Sequence, residues 1–278
     1  MNQRPLLCPN CRKLISRGEP RCPHCGLAHP DSFLNKLLAG GLFGQGGRIV
    51  TVIIAANVAW FVLSLLFSQR GPGLAMPPFR FLSPDNQSLL LLGATGVIPI
   101  AGFGRWWSVL TANYLHGGLL HILFNMLALR QLGPLVVQEF GPARMFVIYT
   151  AGGIIGYLVS YYAGIRFTLG ASAAVCALIG AILFYGRSRG GSYGTELFRQ
   201  AGGWAVGIAL LGAIIPGINN WAHGSGMAAG VLLSYLMGYQ ELRPERFIHL
   251  ASAAALGLAT VIALGWTLLT SAVYLASG

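Results

Sequence analysis

A chain of 278 residues that is 55% hydrophobic, 9% charged and has a mean hydropathy of +0.65 lies far from any soluble globular domain and is expected to be an integral membrane protein. The net charge of +11 sits at the ends of apolar runs, where arginine meets anionic headgroups, so it argues for a lipid bilayer and against nucleic acid as partner. The polar, cysteine-rich start of the chain is not the pattern of a signal peptide.

Residues 1–31 carry four of the five cysteines, in "CPNC" at 8–11 and "CPHC" at 22–25. Two CxxC knuckles separated by ten residues can place the thiolates of Cys8, Cys11, Cys22 and Cys25 around one tetrahedral zinc at about 2.3 Å each. Such a metal supplies folding energy that so short a segment does not obtain from a core. A redox dithiol or a disulfide clip is the alternative, disfavoured in a cytosolic segment. His24 and His29 are spare ligands. A glycine-rich linker follows at 32–47 ("LLAGGLFGQGG"), long enough to let the zinc-ribbon-like segment reach a cytoplasmic partner, and residues 48–278 form the membrane domain.

Apolar runs of about 20 residues predict seven spans. They are Ile49–Phe67, Leu119–Val137 (with Arg130 inside), Met145–Ala163, Ala171–Tyr185, a fifth from Trp204 or slightly earlier to Ile218, Ala222–Tyr239 and Leu250–Ala276. The fourth and fifth are short and glycine-rich, the composition of helices packed inside a bundle. Between the first two spans lies a segment of about fifty residues mixing Pro/Gly turns, apolar patches and the pair Trp106 and Trp107, expected to lie partly in the membrane interface. With the N-terminus cytoplasmic, only Arg70, Arg80, Arg105 and Arg166 of the 18 basic residues fall outside, which predicts a cytoplasmic N-terminus, an external C-terminus and a plasma or inner membrane location.

Polar residues within spans are few: His116, His121 and Asn125 in "YLHGGLLHILFN", Ser172 in "LGASAAVC", and His223 in "WAHGSGMAAG". In the predicted topology all lie near the outer ends of even-numbered helices and so share one depth. Gly226 and Gly230 on the sixth span and Ala173, Ala177 and Gly180 on the fourth offer small faces through which the two backbones approach closely. That approach would bring His223 within reach of Ser172, as a nucleophile and its base require. None of the seven carboxylates begins the sixth span, so a Ser–His dyad is the economical assignment. His121, Asn125 and the backbone N–H groups at Ala171 and Ser172 are candidate oxyanion donors. Cys176, one turn below Ser172, reads as apolar packing. A transporter lacks its broken-helix pair and a zinc metalloprotease its HExxH.

These motifs resemble the rhomboid family of intramembrane serine proteases: "HGGLLHILFNMLAL" looks like its second-span motif, "GASA" its serine motif and "AHGSGMAAG" its histidine motif. The resemblance implies an all-α polytopic bundle of six-plus-one helices. It implies Ser172 as nucleophile and His223 as base, with His121 and Asn125 at the oxyanion and His116 in support. No cofactor is expected for catalysis, and the substrates would be single-span membrane proteins cut near the outer ends of their spans. The alternative within the same fold is a catalytically inactive relative that binds membrane proteins. Three positions depart from the family pattern: Ala173 replaces the last glycine of GxSG, Arg105 precedes Trp106–Trp107 where Trp-Arg is usual, and Cys176 stands where an aromatic is often found.

Overall fold

The computed structural model describes residues 6–8, 14–24, 26–32, 46–68 and 81–276. Seven long helices dominate the described residues: α1 (Gly46–Leu66), α2 (Leu119–Phe140), α3 (Pro142–Tyr162), α4 (Ser172–Arg189), α5 (Gly191–Ile214), α6 (Asn220–Met237) and α7 (Phe247–Ala276). Five of them, α1, α2, α3, α5 and α7, are long and apolar enough to cross a membrane by length and composition alone. Helices α4 and α6, at 18 residues each, are less apolar, α4 because Arg187 and Arg189 stand in its last turn and α6 because Asn220, His223 and a Gly-Ser-Gly stretch lie in its first half. The chain is a polytopic helical membrane protein.

Helix α4 is the centre of the bundle, in contact with α2, α3, α5 and α6. Its residues from Ala173 to Ile182 are all buried. The small faces meet as their sequence implies: a Cβ added to Gly226 would lie 2.4 Å from the carbonyl oxygen of Ala173, one on Gly230 only 1.9 Å from that of Ala177, and one on Gly180 2.1 Å from that of Met227. Glycine is the only residue that lets α4 and α6 come this close. Some polar side chains on the apolar helices donate to carbonyls of their own helix, which spares those donors from the bilayer. Asn57 of α1 donates to the Ile53 carbonyl at 2.8 Å and Ser64 to that of Phe61 at 2.7 Å.

The composition-based expectation for α5 needs correction. Only Gly194, Leu197 and Ala201 of this helix are buried, all in its first three turns, so its glycines do not mark an interior helix. Its boundaries also move. It begins at Gly191, not near Trp204, because the stretch before Trp204 is polar yet helix-compatible, with Glu196 paired to Arg199 at 2.9 Å and accepting from Gln200 Nε2 at 2.9 Å. It stops at Ile214, since Ile215 precedes Pro216 and adopts an extended backbone (φ −95°, ψ 114°). Hydropathy marks apolar length, which here is shorter than helix length at one end and longer at the other. Helix α2 likewise continues three residues past Val137, and Arg130 on it is exposed.

The described part of the connection between α1 and α2 is a folded layer. Asp85 caps the helical turn Asn86–Leu91 by accepting from the Ser88 N–H at 2.7 Å. A π-helical turn, Ile98–Gly102, and the short helix Ser108–Thr111, which runs on into Ala112–Tyr114, follow. Leu89, Leu92, Ala94, Tyr114 and Leu115 pack against Trp60 of α1, whose indole donates to the Leu92 carbonyl at 3.1 Å. Trp106 packs edge-on against Tyr161 and Trp107 against Trp266 of α7.

At the N-terminus, β1 (Leu6–Leu7) and β2 (Leu14–Ile15) pair antiparallel with Leu6 opposite Ile15. Cys8, Ile15 and Cys22 are buried together in a small cluster with Leu6 and Leu27. Cys11 and Cys25 lie outside the described residues, as does most of the linker expected at 32–47.

Candidate active site

Ser172 is the first residue of α4, and the turn before it explains why the chain can present a side chain there. Gly170 has φ +125°, a conformation that residues with a Cβ avoid. Its N–H donates to the Ala112 carbonyl at 2.9 Å and its own carbonyl accepts from the Tyr157 hydroxyl. The peptide is therefore held from both sides. Ala171, fully buried, is the N-cap position, and α4 starts with its first N–H groups free of intrahelical partners.

His223 lies in the first turn of α6, and its Nε2 is 2.7 Å from Ser172 Oγ. Close helix packing delivers this contact: Gly226, one turn on, touches the Ala173 backbone. The Ala173 methyl is accommodated by Gly156 of α3, where a Cβ would come to 3.0 Å from it. His223 Nδ1 is buried and meets no hydrogen-bonding partner. Among the described residues no carboxylate orients this ring.

His121 of α2 faces the same turn. Its Nδ1 accepts from the Gly117 N–H at 3.3 Å, which leaves Nε2 as the protonated nitrogen. A Cβ on Gly170 would lie 2.7 Å from His121 Nε2 and 3.7 Å from Ser172 Oγ, so the three groups converge on one spot. Asn125 lies one turn further along α2, nearly buried, with its amide nitrogen donating to the His121 carbonyl at 2.8 Å. Of its two amide protons one is committed to this bond and one remains available. His116 is fully buried, its ring edge-on to that of His121 with centroids 5.1 Å apart. Cys176 is fully buried, and the four N-terminal cysteines belong to a separate part of the chain.

Several residues at this end are invisible to motif reading. Tyr157, Ser160, Thr168 and Asn219 hold the turn and the start of α6, and only Asn219 carried a signal, an Asn placed where a helix N-cap belongs. Arg105, in front of the Trp106–Trp107 pair, anchors this layer: its Nη1 donates to the carbonyls of Leu90 at 2.6 Å and Leu91 at 3.0 Å.

A helical membrane bundle with a serine and a histidine in contact at one end of its most buried helix is thus defined. Residues 103–240 match the rhomboid domain model, a range that contains every residue of this site. The chain is 33% identical to the putative rhomboid protease YdcA of Bacillus subtilis over 48% of its own length and 68% of the relative's. It is 30% identical to RHOMBOID-like protein 1 of Arabidopsis thaliana, covering 71% of this chain and 54% of that one, and 30% identical to rhomboid protease GluP of Bacillus subtilis, covering 56% and 31%. The chain belongs to the rhomboid family. It spans only about half the length of the Arabidopsis relatives RHOMBOID-like proteins 4 and 1, 52% and 54% respectively.

Proposed function

We propose that this chain is an intramembrane serine endopeptidase that cuts single-span membrane proteins near one end of their span. The observation that carries the reading is the 2.7 Å contact between Ser172 Oγ and His223 Nε2 in a member of a family that includes named proteases. Ser172 Oγ attacks the scissile carbonyl as its proton passes to His223 Nε2. The oxygen of the tetrahedral intermediate is met by His121 Nε2–H, the free amide proton of Asn125 and the N–H groups at the start of α4. The new imidazolium returns its proton to the leaving amine, and a water activated by the same nitrogen releases the acyl group. His116 supports His121 by packing against its ring. No metal or organic cofactor is called for in these steps.

The topology proposed with this reading has a cytoplasmic N-terminus, so the Ser172 end of the bundle faces outward and cleavage occurs near the outer end of the substrate's span. In the same reading Cys8, Cys11, Cys22 and Cys25 hold one structural zinc. The common burial of Cys8 and Cys22 with Ile15 supports this, and the zinc-bound segment is available to a cytoplasmic partner. Metal analysis should find about one zinc per chain, lost in a Cys8/Cys11 double serine variant.

Purified protein in detergent, presented with a panel of single-span substrates and a fluorophosphonate probe, tests the activity. Cleavage and labelling should vanish in Ser172→Ala and His223→Ala, and fall about 10²–10³-fold in Asn125→Ala, the loss of one among several donors. Persistent cleavage in Ser172→Ala would refute the assignment. A wild type that binds substrates without cutting them, indifferent to all three substitutions, would establish the alternative of an inactive, membrane-protein-binding relative.

A further inference from the structure

Ser172 and His223 lie 51 residues apart in sequence, and their contact requires that the turn before α4 and the start of α6 be fixed to one frame. Asn219, immediately before α6, is where those parts are joined. Its Oδ1 accepts from the Ala222 N–H at 3.0 Å, capping the helix, and its main-chain carbonyl accepts from the His223 N–H at 3.1 Å. Its Nδ2 donates to Ser160 Oγ near the end of α3 at 2.9 Å and to Thr168 Oγ1, four residues before Ser172, at 3.0 Å. One side chain therefore ties the histidine helix to α3 and to the serine turn. Both partners are themselves held. Ser160 is fully buried and donates to the Gly156 carbonyl at 3.0 Å. Thr168 exchanges backbone hydrogen bonds of 2.9 and 2.8 Å with Thr95, whose hydroxyl accepts from Ser108 at 2.8 Å.

We propose that Asn219 is a positioning residue for the Ser172–His223 pair, fixing the histidine helix to the serine turn in the absence of a carboxylate on the imidazole; this rests on the reading of that pair as nucleophile and base. In soluble serine hydrolases a carboxylate on the far ring nitrogen orients the base. Here the same need is met one level up, by clamping the helix that carries the base. An amide suits the place because it accepts at the cap and donates twice at the clamp. Serine supplies the cap alone, since its hydroxyl is too short to span to both α3 and the turn. Aspartate has no proton to give Ser160, whose own is committed to Gly156.

The test is fluorophosphonate labelling of the full chain, with the inactivation constant and the probe-binding constant resolved separately across pH and the melting temperature recorded beside them. Asn219→Ser, which keeps the cap, should lower the inactivation constant about tenfold to a hundredfold, leave probe binding unchanged and displace the pH midpoint of labelling, with little change in melting temperature. Thr168→Val should act in the same direction, and the double variant should be no slower than the slower single one, because both remove one clamp. Wild-type kinetics in Asn219→Ser, multiplicative losses in the double variant, or a labelling defect that tracks melting alone and disappears on cooling would each overturn the proposal. A wild type that takes up no probe, or a Ser172→Ala variant labelled as well as wild type, would instead overturn the Ser–His reading itself and this proposal with it.

Discussion

Helices α4 and α5 follow one another directly in the chain, both rich in small residues, and are used in opposite ways. The glycines around α4 are contact points where backbones touch: Gly180 on α4, Gly226 and Gly230 on the facing α6. Those in the middle of α5, Gly202, Gly203 and Gly207, have nothing within 4 Å of where a Cβ would be. The difference teaches that small residues permit close approach without requiring it. What decides is whether a second small-residue face stands opposite, which α6 provides for α4 and nothing described provides for the outer two-thirds of α5.

The largest test of this contrast is Gly230→Ala. The added methyl would fall on the Ala177 backbone, at 1.9 Å from its oxygen and 2.6 Å from its carbonyl carbon, and neither helix has a flexible side chain there to move aside. We expect destabilisation of about 3 kcal/mol, the upper end of ordinary overpacking, read as a large fall in melting temperature and in yield of folded protein. An unchanged melting temperature would mean that α4 and α6 are not pressed together as described.

Gly170→Ala should be gentler on the fold and harsh on the site. The new Cβ would lie 2.7 Å from His121 Nε2, and φ +125° disfavours any side chain at this position. Because the disturbed groups are the serine turn and a proposed oxyanion donor, the rate of fluorophosphonate labelling should fall about a hundredfold while most of the protein remains folded. Wild-type labelling would separate His121 from the reacting centre.

The opposite expectation holds on α5. Gly203→Ala and Gly207→Ala place a methyl in open space within a helix, where alanine is favoured over glycine by up to about 1 kcal/mol. The melting temperature should stay the same or rise slightly. A fall comparable to that of Gly230→Ala would reveal a partner face for α5.

The contrast also explains what the sequence could and could not reveal. Ser172, His223, His121 and Asn125 were legible because polar groups within apolar runs are few, and the Gly226–Gly230 spacing correctly named the face that brings the first two together. The burial of α4 was legible for the same reason. The exposure of α5 was not, since composition says nothing about what stands opposite a helix. Nor were Ser160 and Thr168, and Asn219 showed only as a helix N-cap, because their importance lies in mutual distances across three segments. The CxxC knuckles at 8–11 and 22–25 were legible as spacing alone; of their four thiols, Cys8 and Cys22 lie within the described residues, buried in one small cluster.

Helix α7, like α5, leaves most of its surface outward, so its attachment offers the finest test of how peripheral helices are held. Its connection from α6 is fastened by polar groups where α4 and α6 use small ones. The buried Arg144, near the start of α3, donates through Nη1 to the carbonyls of Gly238 at 2.9 Å and Arg243 at 3.0 Å, and its own N–H donates to Glu245 Oε1 at 2.8 Å. Glu245 thereby caps α3 from outside. Burial raises its carboxyl above the usual carboxylate range, outweighing the lowering effect of the Arg144 N–H and charge. For an acid raised in the folded state, the protonated form is the one the fold prefers. Its contribution to stability is complete below the unfolded pKa and is lost as pH rises through the folded one. Glu245→Gln, which keeps an acceptor for the Arg144 N–H and resembles the protonated acid, should therefore melt slightly above wild type near pH 7, by less than about 2 °C, and the gap should close on acidification toward pH 4. If acidification instead lowers the wild type relative to the glutamine variant, the Arg144 N–H and charge outweigh burial, and electrostatic attraction would be what fastens this outer helix to the core.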